Sequence, residues 1–219
     1  MRYSSEGELR LEICRIARMM HSAGLISAYD GNISQKLGPG KYVITPAGLN
    51  KAFMEPGDLV IIDDRGRSLR GRTRPSSEYR MHVLIYREQP ETKAIIHAHP
   101  PHSVACTLTG ISMEEVVLPE TAFMLGAVPT IRHETPGTPD VAKVLIPALK
   151  DRFAFLLERH GVITVGDTVW EAYNRLEALE HVARVLFISS RMGTPSPLPK
   201  DKLADLKREV LSRGLPWAY

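Results

Sequence analysis

Cysteine is nearly absent: Cys14 and Cys106 are the two in 219 residues. Two cysteines cannot make a disulfide framework, and each sits in an apolar run, so both read as small core residues. Long hydrophobic runs are missing as well. No stretch approaches the roughly 20 apolar residues that span a bilayer, and the opening MRYSSEGELR has no apolar signal-peptide centre. The expectation is a cytoplasmic protein with no membrane role. Excess charge of one sign is also lacking. A formal net charge of +3 gives no argument for nucleic acid. The nearest thing to a basic block, RGRSLRGRTR from Arg65 to Arg74, reads first as a solvated, glycine-interrupted turn and second as an anion site. Repeats, linkers and low-complexity segments are absent.

What is present is an ordinary globular composition, 43% hydrophobic and 24% charged, in a chain long enough to bury a full core. Ser5 and Glu8 form a capping-box pattern ahead of Leu9, Ile13, Ile16, Ala17 and Met20 at helical spacing, which predicts a helix from about Gly7 to Ala23. GNISQKL, KYVIT, DLVIIDD, KAIIHAH and AVPTIRH read as strands. Helices are expected near Ser76, over PHSVACTL, after Thr138 as a cap with Pro139 in the first turn, along DTVWEAYNRLEALEHVARVLFISSRM with Asp167 as cap, and over the tail KDKLADLKREVLSRG. FAFLLERHGVITVG reads as two strands meeting at His160-Gly161. Interspersed strands and helices predict one α/β domain over residues 1–219, with a central, mostly antiparallel sheet flanked by helices.

The densest chemical signal is AIIHAHPPH, Ala94 to His102. Side chains two apart on a strand share a face, so His97 and His99 project the same way with backbones roughly 6–7 Å apart. Two imidazoles so placed can converge on one ion at about 2.0–2.1 Å. Pro100 and Pro101 end the strand, and strand ends are where sites open. The alternative is two ordinary polar residues at a strand end. His160 is the best candidate for a third ligand, because the glycine after it removes a side chain that would crowd the ion. His102, His133 and His181 remain alternatives, the first in the helix after the prolines, the second in a polar stretch, the third on the long helix. Three histidines leave the fourth zinc position free for water or substrate, which is the catalytic pattern.

RPSSEYRMH supplies a second element. Ser76 and Ser77 offer two hydroxyls beside exposed backbone N–H groups at a helix start, a place for phosphate, with Glu78 in the same turn. The simpler reading is a good helix cap. YDGNIS and ITPAGL are two further turns in which Gly31 and Gly48 let backbone amides face an anion. Lys51, Lys93 and Lys143 read as solvated lysines.

Taken in order, GNIS (Gly31–Ser34), ITPAG (Ile44–Gly48), SSE (Ser76–Glu78), HAH (His97–His99) and RHG (Arg159–Gly161) resemble the class II aldolase/adducin family over nearly the whole chain. Each motif is unspecific and the ordered set is highly specific. The resemblance is closest to the fuculose-phosphate aldolase branch. It implies a three-layer α/β/α fold and zinc, or another divalent transition metal, on His97, His99 and His160. Glu78 would be a fourth ligand in the empty site and an acid/base once substrate displaces it. Gly31, Asn32, Ala47, Gly48, Ser76 and Ser77 would contact the phosphate of a sugar substrate. A homotetramer with sites at subunit boundaries is implied too. The reaction implied is cleavage of a ketose 1-phosphate to dihydroxyacetone phosphate and an aldehyde. It passes through an enediolate whose charge a Lewis-acid zinc ion stabilises, and needs no Schiff-base lysine.

The same family holds 4-epimerases, a dehydratase, decarboxylases of phosphorylated sugar acids and non-enzymatic adducin heads. The related epimerases usually carry aspartate where Glu78 stands and a further acid where this chain has Ala122. Adducin-like heads would lack the metal ligands that are all present here. Three departures bear on the aldehyde. Ala47 stands for a phosphate-contacting threonine, and Arg213 for a tyrosine near the carboxyl end. VLPETAF matches no second substrate tyrosine, though Glu120 lies there as a second acid/base or a partner for an arginine. Tyr219 is the tail tyrosine that remains.

Overall fold

The structure, a computed structural model, describes residues 5–135, 138, 140–150, 152–214 and 217. Helix α1 spans Glu6–Ser22; Ser5 Oγ accepts from the Glu8 N–H at 3.2 Å, and Leu9, Ile13, Ile16, Ala17 and Met20 are buried, as their spacing predicts. Eight strands follow: β1 Asn32–Gly38, β2 Lys41–Ile44, β3 Val60–Asp63, β4 Ser68–Arg70, β5 Ala94–Ala98, β6 Thr130–Ile131, β7 Ala154–Leu157 and β8 Gly161–Gly166. The remaining helices are α2 Tyr79–Glu88, α3 Pro101–Thr109, α4 Pro119–Met124, α5 Asp140–Leu145, α6 Val169–Met192 and α7 Lys200–Ser212.

The strands form one sheet in the order β4-β3-β2-β1-β5-β8-β7-β6, antiparallel throughout except for the β6/β7 pair. Strand alternation splits the core in two. Ile33, Ile96, Leu156 and Val162 face one way and pack with α1 and α6 residues such as Ile13 and Leu176. Ile95, Phe155 and Ile163 face the other way, toward Ile85 of α2 and Leu145 of α5. This is the expected α/β/α layering. Among the described residues no helix is long and apolar enough to cross a membrane.

Several local expectations shift. Thr168, not Asp167, caps α6: its Oγ1 accepts from the Glu171 N–H at 3.1 Å, while the Asp167 N–H is held by Glu171 Oε2 at 2.7 Å. Thr168 is the residue with extended dihedrals, which an N-cap needs. Part of RGRSLRGRTR is the edge strand β4, whose three exposed residues carry no alternation to read. Helix α4 rises within VLPETAFM from Pro119 and is too short for a periodic signal. Thr138, expected as the α5 cap, donates its hydroxyl to the Thr135 carbonyl at 2.8 Å. Pro139 and Tyr219 lie outside the described residues.

Candidate metal centre

The end of β5 and the β7–β8 turn deliver three imidazoles to one point. His97 is the fourth residue of β5 and His99 lies just past its end, on the same face as Ile95. His160 closes the turn between β7 and β8, with its N–H on the Leu157 carbonyl at 3.1 Å. Because β8 pairs with β5 so that Ala98 faces Val162, that turn falls beside the His97/His99 pair. Ring centroids are 4.7 to 5.0 Å apart, and the candidate ligand atoms lie within 4.8 Å of one another. His97 Nε2 and His99 Nε2 are 2.9 Å apart, a separation that ligands at about 2.0–2.1 Å from one ion can span. A metal fits these donors. Each spare imidazole orientation matters, and for His97 it is fixed: Nδ1 donates to the Val162 carbonyl at 2.8 Å, so Nε2 keeps its lone pair for the cluster. Burial, followed by the neighbouring His97 ring, lowers His160 to about 4 and moves His99 down as well, so both rings are neutral, ligand-ready bases near pH 7.

Glu78 completes the group. It precedes α2, and its carboxylate turns inward instead of capping the helix. Oε2 lies 3.2 Å from His97 Nε2, Oε1 lies 3.4 Å from His160 Nε2, and Asn32 Nδ2 donates to Oε2 at 2.9 Å. Burial opposes ionisation of Glu78, but the neighbouring His97 and His160 imidazoles and the Asn32 amide outweigh it and hold the carboxyl well below its usual range. Asn32 reaches it because β1 pairs with β5 so that Asn32 faces His97. The Asn32 Oδ1 is buried with no hydrogen-bond partner among the described residues.

The glycine after His160 does what was expected of it. A Cβ on Gly161 would lie 2.4 Å from the Ala98 carbonyl oxygen and 2.6 Å from His99 Cδ2. Gly161→Ala is therefore expected to destabilise the fold by about 1–3 kcal/mol through overpacking and to loosen metal binding. Urea midpoints and metal stoichiometry check both.

Three turns sit beside this centre. Gly31 has φ +69° and Gly48 φ +68°; a Cβ at Gly31 would also strike Ile26 Cγ2 at 2.6 Å. The turn holding Ala47 and Gly48 is tied to the serine segment by Ala47 N–H to the Arg74 carbonyl at 2.9 Å and Ser76 N–H to the Thr45 carbonyl at 3.0 Å. Ser76 is buried and Ser77 exposed; both precede α2 rather than lying in it. A cavity of about 360 Å³ opens at Glu78 and His160 and runs past Met81, Val144 and Leu157 to Arg132.

Comparison with known proteins now bears on the site. The family described as Class II Aldolase and Adducin N-terminal domain matches residues 11–187. The chain belongs to this family. A 5-deoxy-D-ribulose 1-phosphate aldolase of Bacillus thuringiensis serovar kurstaki is 32% identical over 94% of this chain and 96% of its own. A 3-oxo-tetronate 4-phosphate decarboxylase of Escherichia coli K12 is 34% identical over 84% of this chain and 88% of its own. Among solved structures, YgbL of Escherichia coli superposes with a TM-score of 0.84 at 31% identity, covering 92% of this chain and 98% of that one.

Within this class II aldolase/adducin chain, the other candidate histidines stand apart. His102 Nδ1 is 2.8 Å from Glu180 Oε1, His133 Nδ1 is 3.2 Å from the Glu158 carbonyl, and His181 is exposed on α6. Glu120 is exposed on α4 and shows no ion pair among the described residues, and Ala122 is buried. Lys93 and Lys143 are solvated as expected, but Lys51 is not: it is 2% exposed. Sequence reading also missed Asp30, whose Oδ2 approaches His99 Nδ1 at 3.6 Å, and His82. The first signal for Asp30 was its place directly before Gly31.

His82 is fully enclosed on α2; Nδ1 meets Ser34 Oγ at 2.7 Å and Nε2 has no partner among the described residues. Burial lowers it to about 3, so it is neutral in the fold at every mild pH. In the unfolded chain it takes a proton below about 6.5. Stability is thus full above that value and falls as pH drops toward 3. Metal-free protein is expected to lose about 2 kcal/mol of unfolding free energy between pH 7 and pH 5 from His82 alone. Urea midpoints of wild type against His82→Gln isolate that part.

Proposed function

We propose that this chain is a zinc-dependent aldolase that cleaves a ketose 1-phosphate to dihydroxyacetone phosphate and an aldehyde. The observation that carries the reading is the convergence of the His97, His99 and His160 imidazoles with the Glu78 carboxylate between two of them. Three neutral nitrogens favour zinc over hard-oxygen metals, with manganese, iron or cobalt as substitutes. When bound, the ion supplies a Lewis acid for the carbonyl end of the substrate.

The chain's own residues do the rest. The Gly31, Asn32, Ala47, Gly48, Ser76 and Ser77 segments hold the phosphate and fix the donor half in register. Asn32 orients Glu78 through its amide. Glu78, an ionised carboxylate beside the imidazoles, would take a proton from the donor carbon in the direction of synthesis; in cleavage it would return to that carbon the proton that the aldehyde-side hydroxyl gives up. The choice of aldol chemistry is supported by the Bacillus relative, named an aldolase of a ketulose 1-phosphate, which aligns over 94% of this chain. The family resemblance adds a homotetramer with sites at subunit boundaries, to be measured by sedimentation.

A second reading is decarboxylation of a phosphorylated sugar acid, favoured by the Escherichia coli relative of that name at 34% identity. One assay separates them. The metal-loaded protein is offered several ketose 1-phosphates, with dihydroxyacetone phosphate measured, and 3-oxo-tetronate 4-phosphate, with carbon dioxide measured. Product from the first set alone supports the aldolase. Carbon dioxide alone replaces it with the decarboxylase. A chain that binds no metal and turns over nothing is an adducin-like interaction module.

A further inference from the structure

We infer that Lys51 is the cation of the phosphate pocket, donating an N–H to the substrate's phosphate between the Gly31 and Gly48 turns. The inference rests on the phosphate-site reading above and adds a residue to it. Lys51 lies just after the turn holding Gly48, and its side chain is almost wholly enclosed. Its Nζ donates to the Tyr29 carbonyl at 2.8 Å and to the Leu49 carbonyl at 2.9 Å. Tyr29 stands two residues before Gly31 and Leu49 directly follows Gly48, so the ammonium bridges the two turns that carry these left-handed glycines. An ammonium has three N–H donors. Two are used, and among the described residues no carboxylate pairs with the charge.

That is an expensive arrangement for a structural staple. Enclosing an ammonium with no carboxylate in contact costs several kcal/mol, and a neutral amide could hold the same two carbonyls. The surroundings show what the charge is for. Burial pushes the Lys51 pKa down, while the Asp30 and Glu78 carboxylates push it up, which places Nζ within electrostatic reach of the metal centre. Ala47, in the same turn, offers no hydroxyl. A phosphate dianion lying against the Gly31 and Gly48 amides would meet the third N–H and supply the missing negative charge, in a charge-assisted bond about twice as strong as a neutral one.

The test compares wild type with Lys51→Gln, both metal-loaded, using inorganic phosphate and dihydroxyacetone phosphate as probes in calorimetric titration. The expected result is a weakening of about 10–100-fold for both probes, with metal content unchanged and a urea midpoint no lower than wild type's. In steady state the KM for a phosphorylated ketose rises while an unphosphorylated ketose is unaffected, a split that a merely structural lysine would not produce. Equal phosphate affinity in the two proteins overturns the role of Lys51 and leaves the phosphate site standing. Failure of wild type to bind either probe overturns both. Should Lys51→Gln not fold, a wild-type crystal soaked in phosphate decides: an anion oxygen within about 3.2 Å of Nζ supports the inference, and an anion bound elsewhere ends it.

Discussion

His160→Ala is expected to leave the purified protein without its divalent ion and without turnover. His97 and His99 come from one strand end and cannot surround an ion alone; His160 brings the third nitrogen from the far side, 4.7 and 5.0 Å away in ring centroids. Removing it leaves two nitrogens and Glu78, whose Oε1 loses the His160 Nε2 that lies 3.4 Å away. Loss of even an outer-shell partner costs about 10–100-fold in metal affinity, so loss of a direct ligand should exceed that and empty the site during purification. The side chain is partly exposed, at 17%, and the turn is held by backbone bonds, so the variant should fold and keep its circular dichroism. Elemental analysis after dialysis gives the answer, with added zinc restoring neither wild-type affinity nor rate. His102→Ala is the control: that ring is committed to Glu180, and its loss should leave the ion in place. Full metal content in His160→Ala, or loss in His102→Ala, would put the centre elsewhere.

How much of this could be read beforehand differs by the range of the interaction involved. The His97/His99 pair was legible because strand alternation is a local rule, and β5 obeys it. The expected role of Gly161 was legible because a residue next to a candidate ligand competes for its space. The two-sided core reflects the unbroken apolar runs of β5, β7 and β8, whose successive side chains point to opposite faces of the sheet. What pairing decides was not legible. Asn32 reaches Glu78 because β1 and β5 are in one register and no other, and nothing in GNIS states that register. Lys51 reads as solvated since lysine is seldom enclosed; only the meeting of two turns, 22 residues apart at Tyr29 and Lys51, encloses it. The α6 cap went to Thr168 instead of Asp167 because both are good caps and the choice falls to backbone dihedrals. Short, exposed β4 and six-residue α4 carry too few residues for a period to register.

Glu78→Gln separates holding the ion from moving the proton. The amide keeps the volume and planar shape of the carboxylate, and its carbonyl oxygen can still accept from Asn32 Nδ2, now 2.9 Å from Oε2. The three imidazoles are untouched, and His97 remains oriented by the Val162 carbonyl. Metal content should therefore stay near that of wild type. What the amide cannot do is take up or release a proton in the working pH range. If Glu78 serves the donor carbon, kcat should fall by about 10²–10⁴-fold while KM changes little, the signature of an interaction lost in the transition state alone. Exchange of the donor-carbon proton of dihydroxyacetone phosphate with deuterium in heavy water is the sharper readout, since it needs no knowledge of the aldehyde. Wild type should exchange it and Glu78→Gln should not. Undiminished exchange in the variant would assign the proton to another base; loss of both metal and exchange would show that Glu78 acts first as a ligand, because an amide oxygen is a weaker donor to a cation than a carboxylate.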